Sequence, residues 1–150
     1  MRRLNVCVRG LPEERSTSGE DSLELLERVH CVLRELTGRD VDIVECYRVG
    51  RVTPSRPRPV IVSFIELCDK LLVLRAKRVL YSQDCPASLR SIRIYHDLSP
   101  GQMDWKFRLR PAYEYFLSRD IRVIWRNGYR LFAFLEGAWT EFFPQACLIT

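Results

Sequence analysis

The sequence predicts an α+β protein in two parts, residues 1–97 and residues 98–150. In the first part, apolar runs with strand character alternate with two helical patterns in the order β-α-β-β-α-β. In the second part, a helical pattern precedes the dipeptide Asn127-Gly128, which is flanked by alternating apolar residues and is a strong signal for a β-hairpin. The chain has 150 residues, 47% of them hydrophobic, and is therefore long enough to bury a core.

The first part has four predicted strands and two predicted helices. The strands cover residues 4–8, 41–47, 60–65 and 91–95, and the helices cover residues 23–36 and 68–80. Ser18 and Asp21 have the spacing of a capping box before the first helix, and Gly38 stands where a left-handed residue can end it. Right-handed crossovers in this order predict a four-stranded antiparallel sheet with both helices on one face. This is the ferredoxin-like topology that RNA-recognition motifs use.

Each predicted helix of the first part has an apolar face that should contact the sheet. The first helix is expected to bury Leu23, Leu26, Val29, Leu33 and Leu36. In the second helix, the residues near one face are Leu71, Leu72, Arg75 and Val79.

The second part begins with a helix whose predicted N-cap is Ser99, followed by Pro100 in the first helical position. Its apolar stripe is formed by Leu109, Ala112, Tyr113, Phe116 and Leu117. Strands are expected over residues 121–125 and 129–135, with a further short strand over residues 139–143. The result is a small helix-plus-β-hairpin domain, which is near the lower size limit for independent folding.

The segment 46–64 is rich in arginine and contains no acidic residue. Its arginines are Arg48, Arg51, Arg56 and Arg58. Three prolines favour an extended backbone before the apolar strand begins. Such a segment can hold several guanidinium groups against a polyanion. The alternative is an ordinary solvated surface loop.

The positive charge of the chain is concentrated after residue 45. Residues 1–45 carry 7 basic and 10 acidic side chains, whereas residues 46–150 carry 17 basic and 9 acidic side chains. Of the 24 basic residues, 21 are arginine, which pairs phosphate bidentately and stacks on bases. The codon composition of the source genome can produce the same ratio. The local excess of charge nevertheless indicates a surface that binds a polyanion.

The predicted hairpin places two aromatic residues, Trp125 and Tyr129, beside Arg126 and Arg130. Stacking of a base on such a ring contributes about 1–3 kcal/mol. Arg126, Tyr129 and Arg130 are therefore candidates for contact with nucleic acid. Trp125 alternates with other apolar residues, so the alternative for this side chain is a place in the core.

The sequence has no signature of an enzyme, a metal site or a membrane segment. It lacks H-E-x-x-H, a Walker loop and G-x-S-x-G, and its two histidines lack zinc-ligand spacing. No apolar run approaches the length of a membrane span or of a signal peptide. We therefore expect no catalytic residue, no metal, no cofactor and no membrane partner. Six cysteines without a C-x-x-C pair predict reduced thiols, with Cys7, Cys31 and Cys68 as small hydrophobic residues.

Several segments together resemble a known family. They are NVCVRGLPEE, ECYRVGR with the proline-arginine stretch and RPVIVSF after it, KLLVLRAKR, and IRIYHDLSP. In this order they resemble the nucleic-acid-binding region of the first open-reading-frame protein of LINE-type retrotransposons, over residues 4–143. In that family an RNA-recognition-motif-like domain precedes a small C-terminal domain, which corresponds to residues 1–97 and 98–150 here.

The resemblance implies a non-sequence-specific protein that binds single-stranded RNA and DNA and has no catalytic activity. It implies a nucleic-acid chaperone in a retrotransposon ribonucleoprotein, located in the cytoplasm and also in the nucleus. Binding would use the four arginines of segment 46–64, then Arg78 and Lys106, and the hairpin tip at Tyr129 and Arg130. The trimerising coiled coil of the family lies N-terminal to this region. A homotrimer is therefore expected only with such an upstream coiled coil, and a monomer otherwise.

The chain departs from these patterns at several positions. Cys7 and Ser63 stand where mammalian members of the family have basic residues. An RNA-recognition motif would place stacking aromatics where this chain has Cys7, Pro59 and Ile61. We therefore expect no stacking platform on the first sheet, and weak sequence specificity. The alternative function is a protein-interaction module on the same scaffold, taken over by the host. Its partner would be buried by the sheet face and by Trp139, Phe142 and Phe143.

Overall fold

The computed structural model describes residues 2–13 and 20–145. The chain is α+β and divides into two compact units, Met1–Asp97 and Leu98–Thr150. Each unit contains an antiparallel sheet. No helix within the described ranges is long and apolar enough to cross a membrane.

The first unit contains four strands and two α-helices. They are β1 (Asn5–Arg9), α1 (Ser22–Thr37), β2 (Ile43–Arg48), β3 (Val60–Phe64), α2 (Leu67–Ala76) and β4 (Arg93–His96), with 3₁₀ helices at Lys77–Tyr81 and Ala87–Leu89 between α2 and β4. The strands form one sheet in the order β2-β3-β1-β4, and every neighbouring pair is antiparallel. The predicted sequence of elements is confirmed, with boundaries that shift by one to four residues.

Alternate residues of the central strands form the core of the first unit. Val6 and Val8 of β1 and Val60, Val62 and Phe64 of β3 are fully buried. The helix α1 contributes Leu25, Val29, Leu33 and Leu36 to the same cluster. The expectation for Leu23 is wrong, because this side chain is 67% exposed and Leu25 takes the inward position. Leu25 is four residues before Val29 and eight before Leu33, so it continues their stripe directly.

The two ends of α1 follow from local chemistry. The Asp21 carboxylate accepts a hydrogen bond from the Leu23 backbone N–H over 3.1 Å, which caps the helix N-terminus. The predicted partner in a capping box, Ser18, lies outside the described residues. At the other end Gly38 has a φ of 77°, and its N–H donates to the Arg34 carbonyl. The predicted left-handed C-cap is therefore confirmed.

The second helix ends earlier than predicted, and a 3₁₀ helix replaces its last turn. Leu71 and Val79 are exposed, whereas Val73 is fully buried. The expected apolar face is therefore wrong at these two residues. A 3₁₀ helix rotates by about 120° per residue instead of about 100°, so residues after Ala76 leave the face that a continuous α-helix would give them. The cysteine expectation is also wrong at Cys31 and Cys68, which are exposed.

The second unit packs one helix against a three-stranded sheet. Its elements are α3 (Pro100–Ser118), β5 (Val123–Arg126), β6 (Arg130–Leu135) and β7 (Ala138–Phe142). Ser99 caps the helix and Pro100 is its first residue, as predicted. Ser99 and Gln102 in addition form a reciprocal capping box. The core consists of Leu109, Phe116, Leu131 and Ala133. Leu117 is half exposed, because it lies about 100° around the helix from Phe116 and misses the stripe.

Candidate nucleic-acid interface

The arginine-rich segment forms the loop between β2 and β3. The Val49 backbone N–H donates to the Pro59 carbonyl over 3.0 Å, so the two ends of the loop are closed against each other. Four of the predicted binding residues lie at this loop, two near its base and two near its tip. The two pairs have different environments.

Arg48, at the base of the loop, is an internal anchor. Its side chain is only 4% exposed, and that of its partner Glu20 is 5% exposed. The guanidinium forms a fork with the Glu20 carboxylate, with Nε and Nη2 at 2.8 and 3.0 Å from its two oxygens. It also donates to the carbonyls of Leu11, Pro12 and Arg58. These contacts use all five N–H groups of the side chain, so none is left for a phosphate.

Arg58, on the other side of the base, is paired with Glu13. Its Nε and Nη2 atoms lie 2.8 and 2.5 Å from one Glu13 oxygen, and its backbone N–H lies 3.3 Å from the other. The hydrogen bonds from Arg58 lower the pKa of Glu13, and burial of that carboxyl opposes them. The same hydrogen bonds raise the pKa of Arg58. Arg58 is therefore partly neutralised before any ligand binds.

The ion pair between Arg58 and Glu13 leads to a prediction about how the free energy of unfolding depends on pH. Because the folded-state pKa of Glu13 is below its ordinary value of 4.5, the pair stabilises the protein above that pH. The stabilisation is lost as the pH falls through the lowered pKa. We expect wild type to exceed Glu13→Gln in free energy of unfolding by a constant amount above about pH 5, and by less towards about pH 3. Urea denaturation at a series of pH values measures the difference.

The matched control for this titration is Glu27→Gln. Glu27 is exposed and has no ion pair with a described residue. Its difference from wild type should stay near zero over the whole pH range. A Glu13→Gln difference that is as flat as the control would contradict the role given to the pair.

The two arginines near the tip of the loop, Arg51 and Arg56, are exposed. Neither guanidinium makes an ion pair or a hydrogen bond with any residue in the described ranges. The loop therefore presents two cations that no described residue neutralises, above a base that is held by Arg48 and Arg58.

Arg78 lies on the 3₁₀ helix Lys77–Tyr81 and is also exposed without an ion pair in the described part of the chain. A shallow cleft of about 410 Å³ adjoins it. The cleft is lined by Leu72, Arg75, Ala76, Arg78, Val79 and Ser82. Two arginines thus border an otherwise largely apolar depression. Burial lowers the pKa of the neighbouring Lys77.

In the second unit, Trp125 is partly buried and packs against the core, in agreement with its alternation with apolar residues in the sequence. Its ring packs against Tyr113 with centroids 5.2 Å apart, beside the cluster of Leu109 and Leu131. The Lys106 ammonium lies 5.5 Å from the centre of the same ring. Lys106 is thus held by a cation–π contact at the edge of this core.

The hairpin tip carries the remaining predicted residues. The turn is confirmed, because Asn127 and Gly128 have φ angles of 54° and 81° and the Tyr129 N–H lies 3.3 Å from the Arg126 carbonyl. Arg126 is exposed, whereas Tyr129 is half-buried. Arg130 forms a fork with Glu141, at 3.0 and 2.6 Å, which raises the pKa of Arg130 and lowers that of Glu141.

The open face of the first sheet carries two tyrosines that the sequence analysis missed. The register places Tyr47, Ile61, Cys7 and Tyr95 in one row across the four strands. The central positions lack aromatic rings, as expected, but Tyr47 and Tyr95 on the edge strands are 44% and 40% exposed. Only the register, which pairs strands far apart in sequence, brings these residues onto one face.

No group of three His, Cys, Asp or Glu side chains within the described ranges is placed to hold a metal ion. All five cysteines in these ranges are free thiols. Burial raises the pKa of Cys7 and of Cys46, and the hydrogen bond with Glu66 raises that of Cys68.

Comparison with known proteins does not assign the chain to a family. No protein-family model matches it. No curated protein matches it either.

Proposed function

We propose that the chain binds single-stranded RNA and DNA without sequence specificity. One observation carries the proposal. Arg51, Arg56, Arg78 and Arg126 are exposed, and none of their guanidinium groups has an ion pair or a hydrogen bond within the described ranges. These are four of the nine residues that the sequence predicted for the site.

The chemistry of these groups supports a polyanion as the ligand. A guanidinium contacts phosphate through its fork of donors, and phosphate contacts carry no sequence information. Each contact releases counterions, so the affinity depends on salt. The five other predicted residues have different roles in this proposal. Arg48 holds the loop, and Arg58 and Arg130 are paired with carboxylates. Lys106 lies against Trp125 beside the core of the second unit, and Tyr129 is half-buried at the hairpin tip.

The proposal extends to the fold and family. We infer a ferredoxin-like domain of the RNA-recognition-motif type, followed by a small C-terminal domain, as in LINE first open-reading-frame proteins. The β-α-β-β-α-β order and the strand order β2-β3-β1-β4 support this inference. The chain would then be a non-catalytic nucleic-acid chaperone in a retrotransposon ribonucleoprotein, in the cytoplasm and the nucleus.

Equilibrium binding tests the proposal. Fluorescence anisotropy would follow labelled oligonucleotides at about 50 mM salt: two unrelated single-stranded RNAs, a single-stranded DNA and a duplex. We expect affinities for the single strands within about threefold of each other, and weaker binding to the duplex, whose bases are already stacked. Each phosphate contact on a single strand predicts a loss of about 2.6-fold in affinity between 50 and 200 mM salt.

The competing function is a protein-interaction module. Of the three aromatic residues considered for it, Phe142 packs inward against Phe116 with centroids 4.8 Å apart, whereas Trp139 and Phe143 are exposed. Absence of oligonucleotide binding at low salt, with retention of an acidic protein instead, would contradict the nucleic-acid proposal and favour this one.

A further inference from the structure

The three-stranded sheet of the second unit has one face that does not contact α3. In β6, Leu131 and Ala133 are fully buried in the core, so the alternate residues Phe132 and Phe134 lie on the opposite, outer face. The register places Trp139 of β7 directly beside Phe134. Within the described residues of this unit, no further element packs over this face.

Arginines lie over the aromatic rings of the outer face. The Arg122 guanidinium carbon is 4.4 Å from the ring centre of Phe134 and 5.9 Å from that of Trp139. The two rings contact each other edge to face, with centroids 5.3 Å apart. Arg126 lies 5.0 Å from the ring centre of Phe132. The rings and guanidinium groups thus form one continuous surface, which we call the outer-face platform: Arg122, Arg126, Phe132, Phe134 and Trp139.

The outer face also carries Glu141, which the register places beside Phe132, and Arg130, whose guanidinium carbon lies 5.2 Å from the ring centre of Phe132. Glu141 pairs with Arg130, so the charges of Arg122 and Arg126 remain unmatched within the described residues. Neither Arg122 nor Arg126 has an ion pair with a described residue, whereas the nearby Arg130 is bound by Glu141. A guanidinium that lies over a ring can still donate from its N–H groups to a phosphate. Arg122 and Arg126 therefore lie against the rings with donors that make no hydrogen bond in the described part of the chain.

The combination of rings and unpaired cations selects one kind of occupant. Single-stranded nucleic acid offers phosphates for the guanidinium edges and base faces for an exposed ring. Trp139, which is 41% exposed, is the ring most open to a base. A duplex lacks free base faces, and an acidic peptide segment would leave the rings without a stacking partner.

We propose that the outer-face platform is a stacking site for single-stranded nucleic acid, in which Trp139 stacks on a base and Arg122 and Arg126 bind the adjacent phosphates. The inference rests on the proposed function and adds to it a site that uses base faces as well as phosphates. It also places a binding surface in the small second unit, on residues outside the set predicted from sequence apart from Arg126.

Tryptophan fluorescence can detect stacking at Trp139 in the intact chain. The variant Trp105→Phe/Trp125→Phe leaves Trp139 as its only tryptophan. The Trp105 indole N–H is buried without a hydrogen-bond partner in the described ranges, so its replacement by Phe removes no such bond. Titration with an oligouridylate should quench the Trp139 emission with the same midpoint as the anisotropy change. Anisotropy binding without quenching would overturn the platform while leaving the proposed function intact.

Two variants separate stacking from charge. Trp139→Ala should weaken single-strand binding by about 5- to 150-fold and leave the slope of log affinity against log salt unchanged. Arg122→Gln/Arg126→Gln should weaken binding and also reduce the slope by about 1.4. If Trp139→Ala binds like wild type, the platform is wrong. If wild type itself does not bind, the proposed function and the platform fail together.

Arg119→Gln is the matched control for the charge. Arg119 lies 5.4 Å from the ring centre of Tyr115, in the same unit but next to the C-terminus of α3 instead of on the outer face. Its loss removes one stacked arginine and one charge. We expect a change of less than about twofold in affinity. A control effect as large as that of a platform arginine would point to net charge alone and contradict a specific site.

Discussion

Replacing Arg48 by methionine is expected to lower the free energy of unfolding by about 2–4 kcal/mol. The substitution keeps most of the apolar stem and removes the guanidinium. It leaves the Glu20 carboxylate, 5% exposed, with Arg28, at 2.7 Å, as its remaining ion-pair partner. It also removes the donors that reach the carbonyls of Leu11 and Arg58. Two carbonyls that lose these donors, and a buried carboxylate left with one cation instead of two, account for the size of the effect. Urea denaturation measures it.

Arg51→Met is the matched control, because Arg51 is on the same loop but is exposed and unpaired within the described ranges. Its free energy of unfolding should differ from wild type by less than about 0.5 kcal/mol. In addition, Glu20→Gln should lower the free energy of unfolding by less in the Arg48→Met background than in wild type. In that background the ion pair between Glu20 and Arg48 is already absent, so the second substitution cannot remove it again. If Arg48→Met and Arg51→Met lowered the free energy of unfolding by the same amount, the role of Arg48 as an internal anchor of the loop would be wrong.

Gly10→Ala is expected to destabilise the first unit by about 3 kcal/mol or more. Gly10 has a φ of 85°, which an L-residue adopts at a cost. In addition, an added Cβ would lie 1.8 Å from the Ser91 backbone oxygen. The two segments are tied together here, because the Ser91 hydroxyl donates to the Gly10 carbonyl over 3.1 Å. The backbone at the end of β1 would have to move away from the start of β4.

Comparison with Gly38→Ala separates the cost of the left-handed backbone from the cost of the close approach to Ser91. Gly38 has a φ of 77°, but an added Cβ would meet no atom within 4 Å. This variant should therefore lose only about 1–2 kcal/mol, the cost of the left-handed backbone. Thermal or urea unfolding of both variants gives the comparison. If Gly10→Ala were no worse than Gly38→Ala, the close approach to Ser91 would be unimportant.

Local rules made much of the fold predictable. The helix ends at Gly38 and Ser99 and the turn at Asn127-Gly128 each depend on residues within four positions of one another, and all three are confirmed. The order of strands and helices could be predicted for the same reason, because the periodicity of apolar residues is recognised within a short stretch of sequence. Errors arose where alternative apolar residues lie one or two positions apart in a helix. Leu25 replaces Leu23 in the core, and Leu117 leaves the stripe that Phe116 defines.

The sequence could not show which of the four loop arginines are paired with carboxylates and which are exposed. Arg48 and Glu20 are 28 residues apart, and nothing in the composition of segment 46–64 distinguishes a guanidinium with five partners from one with none. The outer-face platform was hidden for a similar reason. Phe134 and Trp139 appear in sequence as two strand residues, and only the pairing of β6 with β7 puts their rings in contact.

The central claim is that unpaired arginines bind the phosphates of a single strand. The most direct test is the salt dependence of oligonucleotide affinity for wild type and for Arg51→Ala/Arg56→Ala, in which Arg48 and Arg58 remain to hold the loop. We predict that log affinity falls linearly with log salt, and that the slope of the variant is smaller by about 1.4. An affinity that does not change with salt, or a slope that is the same in both proteins, would contradict the claim.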